Sequence, residues 1–171
     1  MDWLTLHKFD PSEVDPRFAS RSNPAWFSLS DRWRKEFGEE QELGNIEYAA
    51  YAIAICIPYT IRYPKNHSPL VYIGEGMAHA RFREHLQEKL LPMLATDLPA
   101  KFDFWVLPCL GKLTVQATEA AMLASFEESY GARPLFNTQS GKATGGTPHR
   151  DWFVPLDQRR RGKRHWKIER V

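Results

Sequence analysis

Tyr72, Arg81, His85 and Glu119 combine reactive side chains with an informative spacing in this 171-residue sequence. Arg81 and His85 stand four apart beside a helical apolar repeat of Phe82, Leu86 and Leu90. They form a polar row on the flank of that core-facing stripe, where both can reach one anion. A guanidinium suits a phosphate, because its planar fork donates two hydrogen bonds and its charge is permanent. The alternative for the pair is a solvated basic edge. Glu119 shares a second helical stripe with Met122, Leu123 and Phe126. An acid on a burying stripe is costly unless it is paired, hydrogen-bonded or set against a cation, or unless its head reaches water past the edge of the core. Tyr72 stands between Val71 and Ile73 on a strand-like run and points to the opposite face from both. It either packs with its hydroxyl at the rim or presents that hydroxyl to a substrate.

Positioning these groups requires particular elements. Residues 48–57 are a continuous apolar run of strand length ended by Pro58. Residues 58–69 hold three prolines and read as a long hairpin connection to a second strand, "LVYIG". Gly74 and Gly76 turn the chain into a helix from about Ala78 to Leu91, stopped by Pro92. "FDFWVLPC" is a third strand, and a second helix covers about Val115–Tyr130, with Thr114 or Thr118 as its cap and Gly131 as its stop. The order is β–β–α–β–α, an α+β domain over 46–141. Residues 1–45 form an N-terminal extension with Pro11, Pro16 and Pro24 and a short helix within 28–38, whose Trp26, Phe27, Trp33 and Phe37 pack on the body.

A hydrophobic share of 43% is enough for a core and excludes wholesale disorder. No run of about 18 apolar residues predicts a membrane span. The start of the chain lacks the basic and apolar stretches of a secretory leader, and Cys56 and Cys109 both sit in apolar runs, so the expectation is a cytoplasmic protein with reduced thiols. The net charge of +2 is uneven. Residues 142–171 carry nine Lys or Arg against three acids, so this arm is at +6 and the rest of the chain at −4. A basic arm on a mildly acidic body points to a polyanionic partner, with a solvated tail as the alternative.

Tyr72-Ile73-Gly74, following a strand with Ala49-Ala50-Tyr51, resembles the GIY-YIG nuclease family. Arg81-Phe82-x-x-His85 resembles that family's R-L-x-x-H helix, Glu119-x-x-Met122-Leu123 its metal-binding helix, and Pro134 followed by Asn137 its closing segment. The resemblance runs from about Ala49 to Asn137, in order. Three features depart from the family pattern: Ala-Ala-Tyr in place of Gly-Ile-Tyr, the long proline-rich loop before Tyr72, and Glu75 after the glycine. Arg83 rivals Arg81 for its role, because the turn before the helix is short.

The resemblance implies a three-stranded antiparallel sheet flanked by helices and a metal-dependent endonuclease acting on DNA, double-stranded and restriction-like by preference. Tyr72 would position and deprotonate water, with Tyr51 or His85 assisting. Arg81 would grip the phosphate, Glu119 would hold Mg²⁺ or Mn²⁺, and Gly74 and Asn137 would support the site. Arg83, Arg159, Arg160, Arg161, Lys163, Arg164 and Lys167 are the expected DNA contacts. Cleavage of both strands by one site calls for a dimer or two nicks. The alternative is a nucleic-acid-binding module that does not cut.

Overall fold

The computed structural model describes residues 3–9, 46–90, 100–139, 141, 145–156 and 164–167. Its centre is strand β2, Ala49–Ile55, in which every residue is buried. Continuous apolarity without alternation fits a strand with neighbours on both edges and cover on both faces. With β1 (Leu4–Phe9), β5 (Leu70–Gly76) and β6 (Phe102–Pro108) it forms an antiparallel sheet in the order β1-β6-β2-β5. The sheet is therefore four-stranded, not three-stranded. The added strand comes from the N-terminal extension, where "LTLHKF" pairs Leu4 with Val106 and Leu6 with Phe104. The physical reason is β6 itself: Phe102 to Leu107 are all buried, and an apolar edge of this length is stabilised when another strand covers it.

The connection over 58–69 is not a plain loop. It carries β3 (Tyr59–Arg62) and β4 (His67–Ser68), which pair with each other. Strand β7, Arg164–Lys167, drawn from the basic arm, lies parallel to β3 and sets Arg62 opposite Lys167. The described residues thus hold a second, three-stranded sheet in the order β4-β3-β7.

Helix α1, Ala78–His85, continues as a π-helical turn over Leu86–Leu90, where the sequence predicts uniform α-helix. Helix α2, Lys112–Tyr130, packs on β2 and β5 and buries Met122, Leu123 and Phe126, as their spacing predicts. It begins before either threonine proposed as its cap. Gly111 occupies the cap position without a side-chain bond. Thr118 is inside the helix, donating to the Thr114 carbonyl at 2.7 Å and accepting from His149 N at 2.9 Å. The stop is as expected: Gly131 adopts φ 75° and its N–H donates to the Glu127 carbonyl. Lys65 closes the same end, its Nζ donating to the Glu128 carbonyl at 3.0 Å, a cation placed where the helix dipole is negative.

Residues 145–156 belong to the basic arm by sequence yet lie against the body. Trp3 Nε1 donates to the Asp151 carbonyl at 2.7 Å, and His149 is bonded to α2 through Thr118. The helix expected within 28–38 lies outside the described residues. Among those described, no helix is long and apolar enough to cross a membrane.

Candidate active site

The β2–β5 ladder brings the two tyrosines together. Tyr51 stands opposite Gly74 and Ile53 opposite Tyr72, so Tyr51 and Tyr72 are diagonal neighbours on one face of the sheet. Their rings stack with centroids 5.9 Å apart. Gly74 makes this arrangement feasible: a Cβ there would fall 2.6 Å from the Tyr51 hydroxyl oxygen and 2.7 Å from Tyr72 Cε1. The glycine's role is to leave room for two aromatic rings, since its φ is not in the left-handed region.

Helix α1 then lays His85 over both rings. The Tyr51 hydroxyl and His85 Nε2 share a buried hydrogen bond of 2.7 Å, and the His85 ring centroid is 4.2 Å from that of Tyr72. His85 Nδ1 is buried and has no hydrogen-bond partner among the described residues. Burial first, then the nearby charges of Lys89 and Arg81, pull its pKa down to about 3, so the imidazole is neutral at physiological pH. Burial likewise pushes the Tyr51 hydroxyl well above its usual range. Tyr72 is raised less. Burial and the Glu119 carboxylate push it up, whereas a hydrogen bond from Tyr51 and the charge of Arg81 oppose them.

Tyr72 opens onto a cleft of about 220 Å³ whose lining includes Glu75, Lys89, Gln116, Glu119, Asn137 and Gln139. Glu119 on α2 and Tyr72 on β5 therefore face the same space. Glu119 is only half-buried on a stripe whose other members are fully covered, because it stands at the stripe's cleft end.

Asn137 braces the wall. Its Oδ1 accepts from Ile73 N at 2.9 Å and its Nδ2 donates to the Ile73 carbonyl at 2.7 Å, while Phe136 N donates to the Val71 carbonyl at 2.9 Å. The side-chain amide imitates a neighbouring strand along the free edge of β5, which fixes the backbone beside Tyr72.

Arg81 stands apart from this group. Its guanidinium is half exposed and bonded to Glu84 at 2.6 Å, an ion pair that raises its pKa. Its stem passes Gly76, where φ is 131° and a Cβ would come within 3.3 Å of Arg81 Cγ. It is not among the residues lining the cleft, although its charge is felt by both tyrosines. The side chain of Arg83 and residues Arg159, Arg160, Arg161 and Lys163 lie outside the described residues; Arg164 and Lys167 are described only as backbone positions of β7.

The sequence reading missed Lys89. Its Nζ lies 3.8 Å from the centre of the Tyr72 ring, a cation–π contact at the cleft. The signal was there, since Arg81, His85 and Lys89 continue one row at a spacing of four. The chain matches no protein-family model, no curated protein and no solved structure at a significant level.

Proposed function

We propose that the protein is a metal-dependent endonuclease that hydrolyses DNA phosphodiester bonds on a GIY-YIG-like scaffold. The observation that carries this reading is that Tyr72 and Glu119, distant in sequence, line one cleft whose wall is clamped by Asn137. The order Tyr51, Tyr72-Ile73-Gly74, Arg81, His85, Glu119, Asn137 supports it independently.

The cleft's donors fit a hard divalent ion. Two carboxylates, Glu75 and Glu119, and the amides of Gln116 and Gln139 are oxygen ligands. Among the described residues no three His, Cys, Asp or Glu side chains gather to cage a metal. Mg²⁺ or Mn²⁺ keeps much of its water shell and binds through one or two carboxylates, which Glu119 and Glu75 could supply. Glu119 would hold the ion, with Glu75 adjoining. When bound, such an ion acidifies a water ligand and stabilises charge on the leaving oxygen.

Hydrolysis forms a bond from water oxygen to phosphorus and breaks the bond from phosphorus to the leaving oxygen. A proton leaves the water and a proton reaches the departing alkoxide. As its phenolate, Tyr72 orients the attacking water and takes up its proton to become the phenol, and the Tyr51 hydroxyl beside it favours that phenolate against the burial that opposes it. His85 is ill-suited as the final proton acceptor, because an imidazolium with a pKa of about 3 is a strong acid here. Its role is to hold Tyr51 against Tyr72. Arg81 reaches the phosphate by exchanging Glu84 for the substrate's anion.

Nicking of supercoiled plasmid in Mg²⁺ tests the reading. Wild type should nick, and Tyr72→Phe and Glu119→Gln should not; a wild type inert in both Mg²⁺ and Mn²⁺ overturns it. The preferred form of this reading is a restriction-like role on double-stranded DNA, because the segments added outside residues 46–141 favour recognition of particular sites. The second reading, a module that binds nucleic acid without cutting, is favoured by the Arg81–Glu84 ion pair and by Glu75 in the cleft. Duplex binding by a wild type that never nicks would select it.

A further inference from the structure

The cleft carries two carboxylates, and a phosphodiester entering it must be met by positive charge. Arg81, the expected grip, is bonded to Glu84 and stands outside the cleft lining. Among the described lining residues the cation is Lys89. Its ammonium sits over the Tyr72 ring, in the same cleft as Glu119. Resting on the nuclease reading above, we propose that Lys89 is a substrate-binding residue whose ammonium contacts the backbone phosphate held between Tyr72 and Glu119.

Three observations converge on this. The π-helical turn Leu86–Leu90 that carries Lys89 is a rare winding, frequent at functional sites. The turn is anchored by Leu90, which is fully buried, so Lys89 projects from a fixed base. Burial lowers the Lys89 pKa, the state of a cation set in a partly dry cleft and stabilised when an anion arrives. A lysine suits this place because its compact charge can meet a phosphate from one side while leaving the opposite side to Glu119 and its ion. The resting contact with Tyr72 stores the ammonium where the substrate will enter.

The experiment separates this proposal from the nuclease reading by measuring binding apart from cutting. Affinity for a short duplex is measured across salt concentrations for Glu119→Gln alone and combined with Lys89→Gln, Lys89→Arg or, as an exposed control, Lys112→Gln. Lys89→Gln should reduce the slope of log affinity against log salt by about one, the release expected for one phosphate contact. Lys89→Arg should retain the slope, and Lys112→Gln should leave it unchanged. In the otherwise wild-type protein, Lys89→Gln should slow nicking about 10- to 100-fold, the range for losing one charge-assisted bond. Thermal unfolding of both Lys89 variants checks that the fold survives, and Lys89→Met, which also removes the charge while keeping the stem, replaces Lys89→Gln with the same expected slope if Lys89→Gln is unstable. A slope unchanged in Lys89→Gln overturns the proposal even if the wild type cuts. A slope that falls in a protein that never cuts supports the phosphate contact and overturns the nuclease reading instead.

Discussion

The Tyr51 hydroxyl and His85 Nε2 are hydrogen-bonded at 2.7 Å inside the protein, joining the middle of the central strand to the last residue of helix α1. Burial, with the nearby charges of Lys89 and Arg81, keeps the imidazole neutral in the folded state, while the unfolded chain protonates it near its ordinary pKa of about 6.5. Between that value and about 3 the unfolded state binds one proton more, so stability falls as pH drops through this window. Urea midpoints at pH 7 and pH 5 should therefore differ more for wild type than for His85→Gln. Equal differences would mean that His85 does not carry the linkage.

Gly74 lies under two aromatic rings. Gly74→Ala places a methyl group 2.6 Å from the Tyr51 hydroxyl oxygen, and the rings must part to admit it. The expected cost is about 1–3 kcal/mol of stability, as for other overpacked sites, with loss of nicking from displacement of Tyr72. Chemical denaturation and a nicking assay check both; a stable, active variant would show that the rings have slack.

Asn137→Ala leaves the Ile73 N–H and carbonyl without their partners on the edge of β5. Each buried group so abandoned costs about 1–3 kcal/mol. Denaturation should register that loss. Hydrogen exchange at the Ile73 amide should accelerate in the variant, and an unchanged exchange rate would argue against the clamp.

Glu119→Gln removes the charge while keeping nearly the same shape. Nicking should fall by at least about 100-fold, comparable with losing a group that stabilises transition-state charge, while duplex binding persists. Without Glu119 one of the influences raising the Tyr72 pKa also disappears, so the Tyr72 titration followed by ultraviolet absorbance should shift downward. A Tyr72 titration that stays in place would mean that the two groups do not sense each other.

The basic run is tested by replacing Arg159, Arg160 and Arg161 with Ala. If each meets one phosphate, the salt slope of duplex affinity falls by about 0.9 per residue. An unchanged slope would remove the run from the interface.

Strands β2, β5 and β6, helices α1 and α2, and the stripe that buries Met122, Leu123 and Phe126 were legible in the residues themselves, because local apolar periodicity records which face of an element is covered. The same periodicity exposed Glu119 as an acid out of place. Only the tertiary structure decided what these faces meet. The register that sets Tyr51 beside Tyr72, the cover of β6 by Leu4–Phe9, and the amide of Asn137 acting as a strand all depend on partners far away in the chain. Lys89 lines the cleft and Arg81 does not, which shows why. Both lie on one helical row, so spacing alone cannot rank them. A neighbouring Glu84 and a change from α to π winding settle which charge faces the cleft, and those are properties of the packed chain.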